Sequence, residues 1–193
     1  MIYIKKKKSS TLLADVTFED IMSEEAISSG ETGRGKEADR SSISFSIIKN
    51  YGKLSEKKRT ATFALVNWNG HNCYDLRRWS NDYSTPYKGI TFSKDEIPIL
   101  FKALSEYTYI GDNEPKHLYS IGNAEAKIFD VVCMLSNSTI RGKKWCKQVC
   151  IIDWGYGKKY DFRKWTEDYD KCSKGICLSK EETEELRLLL GDL

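Results

Sequence analysis

The chain has 193 residues, 31 Lys and Arg against 28 Asp and Glu, a net charge of +3 and a 40% apolar fraction, as expected of an ordinary globular protein of one or two domains. No run approaches the ~20 apolar residues of a membrane span. The start, Met1-Ile-Tyr-Ile followed by Lys5 to Lys8, lacks the charge-first order of a secretory signal. Cys73, Cys133, Cys146, Cys150, Cys172 and Cys177 are therefore expected to be free thiols in a reducing compartment. The spacings Cys146/Cys150 and Cys172/Cys177 match a zinc site only loosely, so neither metal nor cofactor is expected.

Residues 1–42 combine the lysine run with serines, scattered acids and a Gly-rich piece, and read as a mobile basic and polar leader. Alternation begins at Ile43. Ile43, Phe45 and Ile47 share one face of a predicted strand, and 86 residues later Phe129, Val131 and Cys133 repeat that face. A second strand through Thr62–Trp68 returns as Gln148–Trp154, with Phe63 and Leu65, like Val149 and Ile151, turned to the core. Trp68-Asn-Gly-His and Trp154-Gly-Tyr-Gly have the glycine and asparagine of tight hairpins. The third strand, Tyr74–Trp79 and again Tyr160–Trp165, buries Leu76 and Phe162 and sends Asp75, Arg77 and Trp79 to the opposite face.

Lys88-Gly-Ile-Thr-Phe-Ser and Lys174-Gly-Ile-Cys-Leu-Ser read as a fourth strand. Each ends in a Ser-x-x-Glu capping box, Ser93 with Glu96 and Ser179 with Glu182, that opens a helix. The helices carry the buried stripes Leu100, Ala103, Leu104, Tyr107 and Leu186, Leu189, Leu190, Leu193, with Pro98 the one discordant residue. Between Trp68 and Glu96 and between Trp154 and Glu182, 13 of 29 positions are identical at the constant offset of 86. The predicted architecture is α+β: two tandem repeats, residues 43–107 and 125–193, joined by a linker over 108–124. Each is a curved four-stranded antiparallel sheet followed by one helix. A unit of this size is marginal alone, so the two are expected to pack as an intramolecular pseudo-dimer.

Positive charge gathers on the strands. Residues 43–93 hold eight Lys and Arg against three Asp and Glu, and residues 125–179 eleven against seven, whereas Lys180–Leu193 is acidic. Such a footprint suits a polyanion. Single strands are held by aromatic rings that stack on bases and cations that track phosphates, and the face opposite the helices offers Trp68, Arg77 and Trp79, then Trp154, Arg163 and Trp165. The alternative is that these tryptophans are structural and pack against the other copy. The repeated Asp75, Asp161, Asp82 and Asp168 read as arginine or turn partners, His71 and His117 are not repeated, and no phosphate loop is present, so no enzyme is expected.

The string Tyr74-Asp-Leu-Arg-Arg-Trp, followed by Lys88-Gly-Ile-Thr-Phe-Ser leading into a helix, resembles the positive cofactor 4 family of transcriptional coactivators, closest to its short bacterial YdbC-like branch. Both repeats carry it, over about seven tenths of the chain. The resemblance implies single-stranded or melted DNA as partner, with RNA as a further candidate. It also implies a role in transcription regulation or DNA maintenance, contact with the transcription machinery, and a cytoplasmic, nucleoid-associated or, in a eukaryote, nuclear location. By position it implies binding by Trp68, Arg77, Trp79 and Lys88 and by Trp154, Arg163, Trp165 and Lys174. The competing function class is a protein-interaction module anchored by the same tryptophans.

Overall fold

The computed structural model describes residues 44–55, 61–108, 114–121 and 124–193, so the expected leader and Ile43 lie outside the described residues. The chain is α+β. Strands β1 (Phe45–Lys53), β2 (Ala61–Trp68), β3 (His71–Trp79) and β4 (Pro86–Phe92) form an antiparallel sheet in sequence order, followed by helix α1 (Glu96–Glu106). A second antiparallel sheet takes β5 (His117–Ile121), β6 (Ala124–Ile140), β7 (Lys143–Asp153), β8 (Lys158–Thr166) and β9 (Ile176–Leu178), followed by helix α2 (Lys180–Gly191). Strand β5 lies within the stretch expected to be a linker. It pairs with the start of β6, Tyr119 opposite Ala126, and gives the second sheet its fifth strand.

The hairpin arms explain a correction to the first strand. Lys53 faces Thr62 and Met134 faces Gln148, spans of 62 − 53 = 9 and 148 − 134 = 14 positions, so the offset of 86 falls by five to 81 before the second strand. At that offset the ladders agree: Ile47 faces Val66 as Ile128 faces Ile152, and register shifts occur at the same places, Ile47/Lys49 with Ile128/Asp130 and Asn50/Gly52 with Val131/Cys133. An odd slip turns a strand over. Phe129 and Cys133, read as equivalents of Ile43 and Ile47, therefore lie against the helix-side core, whereas Phe45 and Ile47 pack with Trp68 and Trp79. The extra length of β6 and β7 ends in a two-residue turn whose Arg141 and Gly142 have φ of 50° and 76°.

The helix-side faces of both sheets share one apolar core. Phe63, Leu76 and Leu100 belong to the same buried cluster as Val149, Phe162 and Leu186. The helices also touch each other, α1 rests on β6, and α2 reaches β2. Leu189 of α2 lies over Gly52 of β1, where an added Cβ would sit 3.1 Å from its methyls. Of the expected stripes, Leu100, Leu104, Leu186 and Leu190 are buried and Ala103, Tyr107 and Leu189 partly so; Leu193 is exposed because α2 stops at Gly191.

The two capping boxes differ. Ser179 accepts from the Glu182 N–H at 3.2 Å and Glu182 accepts from the Ser179 N–H at 3.0 Å, which completes the box. At α1 only the return half forms, Ser93 N–H to Glu96 at 2.9 Å, and Asp95 stands at the cap without a side-chain bond. Pro98 sits in the first turn, where its missing N–H costs nothing, and does not break the helix.

Candidate functional site

The alternation places Trp68, Arg77, Trp79 and Trp154, Arg163, Trp165 on the faces opposite the helices, as expected, but these faces are largely covered. Trp68, Trp79 and Trp165 are 2%, 3% and 0% exposed. They pack within their own sheets rather than against the other copy, which corrects both expectations about their surroundings. Trp68 stacks on Trp79 with centroids 6.0 Å apart, and Phe45 lies 5.1 and 5.2 Å from the two rings. In the second sheet Trp154 stacks on Trp165 at 6.5 Å, and Tyr119 of β5 meets Trp165 edge-on at 5.1 Å. Each sheet thus has a small aromatic core on its outer face.

Beneath the aromatic layer lies a repeated ion pair. Arg77 Nε donates to Asp75 at 3.0 Å and Arg163 Nε to Asp161 at 2.6 Å, with both carboxylates fully buried. Each guanidinium also lies over the indole that ends the second strand, Arg77 at 5.1 Å from Trp68 and Arg163 at 4.8 Å from Trp154. Burial pushes the Asp75 carboxyl above its ordinary range, while the Arg77 guanidinium pulls it down without fully offsetting that. Burial works against the charged Arg163, yet Asp161 beside it holds its pKa above the usual value. Because arginine keeps its proton, each guanidinium stays charged behind tryptophan, paired with the carboxylate at its side.

The glycine of Lys-Gly-Ile follows from this unit. Gly89 faces Arg77 across the ladder, and a Cβ there would sit 2.6 Å from the Leu76 carbonyl and 2.7 Å from the Arg77 Cβ. Gly175 is crowded in the same way by Phe162 and Arg163. The adjoining Lys88 and Lys174 are both exposed. Lys88 falls in the register shift that places Arg77 against Gly89 and Trp79 against Pro86.

The two sheets differ at one bond. Trp68 Nε1 donates to Asp75 at 3.1 Å, whereas in the second sheet Arg163 grips Asp161 through two nitrogens and the Cys177 thiol donates to it at 3.0 Å. Trp154 is left half-buried with an indole N–H that has no acceptor. Burial raises the Cys177 thiol to about 12 and the Cys133 thiol to about 11, so neither is a ready nucleophile. Two residues beyond Trp154, Tyr156 is 85% exposed on a turn in which Asp153 accepts from the N–H groups of Gly155 and Tyr156.

Tyr83 and Tyr169 are functional candidates that sequence reasoning counted only as identities. Both have φ of 59°, a left-handed conformation that costs a side-chain-bearing residue roughly 1–2 kcal/mol. Each packs against a tryptophan with its ring tilted, Tyr83 against Trp79 at 6.3 Å and 46° and Tyr169 against Trp165 at 5.6 Å and 50°. Each hydroxyl accepts from an amide, Asn50 of β1 at 3.1 Å and Gln148 of β7 at 3.0 Å. A hydrogen bond and an aromatic contact, each worth about 1 kcal/mol, are nearly offset by the strained backbone. The repeated Asp82 and Asp168 shape these loops: Asp82 accepts from Ser80, Ser84 and the Ser84 N–H, and Asp168 from the Asp170 N–H.

Comparison with protein-family models, with curated proteins and with solved structures found no match to this chain. The site is therefore read from its own chemistry. Among the described residues no group of three or more His, Cys, Asp and Glu side chains converges to hold a metal, and no helix is long and apolar enough to cross a membrane.

Proposed function

We propose that this protein binds single-stranded nucleic acid, DNA in the first instance, without strong sequence preference, and that its two repeats act as an intramolecular pseudo-dimer presenting two like faces. The observation that carries the reading is the matched placement, in both sheets, of an exposed lysine, Lys88 or Lys174, beside a buried Asp–Arg pair backed by tryptophan. Cations on a sheet suit a phosphate chain, and Trp154 and Tyr156 offer accessible ring surface for bases. The resemblance to the positive cofactor 4 family supports the same reading and, with it, a role in transcription regulation or DNA maintenance. The shared helix-side core supports the pseudo-dimer. The alternative is a protein-interaction module; both readings drew on exposed tryptophans, and the burial of Trp68, Trp79 and Trp165 removes those three from either, so the exposed lysines are what favour nucleic acid.

The test is titration of labelled oligo-dT across a salt series. Log K is expected to fall with log salt by about 0.7 per phosphate contact, and Lys88→Gln and Lys174→Gln each to lower that slope by about one contact. Absence of binding, or a tighter complex with one duplex sequence than with oligo-dT, would overturn the reading.

A further inference from the structure

We infer that the hairpin end of the second sheet grips a single strand, with a base on the Tyr156 ring and the phosphate chain on Lys159, and that the first sheet has no counterpart; this rests on the nucleic-acid reading. The repeats diverge at this place. At the offset of 86, Gly70 stands where Tyr156 does and Cys73 where Lys159 does, so the first hairpin lacks both the ring and the cation. Trp154 to Lys159 holds two lysines and no acid, whereas Trp68 to Cys73 holds no Lys, Arg, Asp or Glu.

The geometry of the turn suits that ligand. Tyr156 is 85% exposed, yet its backbone is fixed: Asp153 accepts from the Gly155 N–H at 2.7 Å and the Tyr156 N–H at 2.9 Å, and Gly155 and Gly157 on either side have φ of 89° and 84°. A ring already held in solvent costs little further ordering when a base stacks on it, and stacking accepts any base. Lys159 faces Ile152 across the ladder, and Ile152 packs with Trp154 and Trp165, so Lys159 lies on the outer face, exposed, in the column of Asp161 and Arg163. Asp153 is on the other side, between Lys127 and Lys158 in its two ladders, and Lys158 lies over the Phe129 ring of the helix-side core at 4.2 Å. Lys159 is therefore the charge that this end of the outer face offers to a phosphate. In the first sheet Cys73 faces Val66 at the same rung, and a strand there meets Lys88 without a ring.

The experiment uses the full chain with Tyr156→Ala, Tyr156→Phe, Lys159→Gln and, as the matched change in the first hairpin, His71→Ala. Affinity for oligo-dT and for an abasic strand of equal length is measured across a salt series, with the thermal midpoint of each variant. Tyr156→Ala is expected to weaken oligo-dT binding by roughly 5- to 150-fold, the range for one base stacked on an aromatic ring, with midpoint and abasic affinity unchanged. Tyr156→Phe keeps the ring and is expected to bind like the wild type. Lys159→Gln should lower the salt slope by about 0.7 on both strands, and His71→Ala should change neither affinity nor slope. If the wild type binds oligo-dT but Tyr156→Ala binds it equally well, or Lys159→Gln leaves the slope unchanged, the grip fails and the nucleic-acid reading stands. Equal weakening on the abasic strand, or a loss in His71→Ala as large as that in Tyr156→Ala, also overturns it. If no form of the protein binds oligo-dT, the reading fails and the grip fails with it.

Discussion

Lys147 of β7 donates to Glu96 of α1 at 2.9 Å, and the pair is nearly sealed from solvent. The same ammonium donates to the Thr91 carbonyl at 2.9 Å, and Ser136 of β6 donates to the other Glu96 oxygen at 2.5 Å. The converse contact runs the other way: Arg78 of β3 reaches the Cys177 carbonyl at 3.3 Å and Glu182 at 3.9 Å. Thr91 and Cys177, like Glu96 and Glu182, are related by the offset of 86. The cations are not, yet they occupy one rung: Ala61 faces Arg78 and Lys147 faces Lys164, so the role has moved to the neighbouring strand.

Because Lys147 and Glu96 are both buried, Lys147→Ala leaves a charge without its partner and is expected to destabilise the protein by ~3 to 5 kcal/mol. Arg78 is one-third exposed and stands farther from its carboxylate, so Arg78→Ala is expected to cost ~1 kcal/mol or less. Urea unfolding of the two variants checks the order. Equal losses would mean that the Lys147 contact is no stronger than a surface pair.

The crossing contacts and the common core bear on how the chain divides. A fragment covering residues 43–107 would expose Leu100, Leu104 and the Glu96 carboxylate, all of which are buried in the intact chain. It is expected either to unfold or to pair with a second copy of itself, as measured by sedimentation. A folded monomer would remove the case for a pseudo-dimer.

Much of the fold was legible because period-two alternation specifies faces: Leu76 and Phe162 inward, Asp75, Arg77 and Trp79 outward. Alternation does not say what lies above a face. Trp165 looked available because the residue that covers it, Tyr119, sits in a strand hidden inside a stretch punctuated like a linker. The first strand was misread because a five-residue difference in hairpin length does not show in a repeat alignment that begins at Trp68. The crossing ion pair was illegible for a different reason: its two cations are not sequence equivalents.

Asp82 gives a pH test of the Tyr83 loop. The hydroxyls of Ser80 and Ser84 and the Ser84 N–H hold its carboxyl down to about 2 from an ordinary 3.8. A depressed carboxyl contributes stability that is complete above the ordinary value and is lost as pH falls through the folded one, here between about 4 and 2. Carbon-detected titration of Asp82 is expected to show the low value, and Ser84→Ala to raise it. An unshifted titration in the wild type would mean that the loop is open in solution.

The tryptophans that end the second strands should behave differently in the two copies. Trp68 bonds the buried Asp75 through its indole N–H, so Trp68→Phe removes a hydrogen bond to a charged group and is expected to cost ~1.5 to 3 kcal/mol of stability. Trp154 bonds nothing through that group and is half-buried, so Trp154→Phe should cost under ~1.5 kcal/mol. Binding should show the reverse. With its ring accessible beside Tyr156, Trp154→Ala is expected to weaken oligo-dT binding by ~1 to 3 kcal/mol. The Trp68 ring is 2% exposed, so Trp68→Ala should act on affinity only through the folded fraction. Thermal midpoint and affinity measured on each variant separate the two cases. If Trp68→Ala weakened binding as much as Trp154→Ala at unchanged midpoint, a strand would be reaching the first indole directly, and the distinction drawn from the Asp75 bond would be lost.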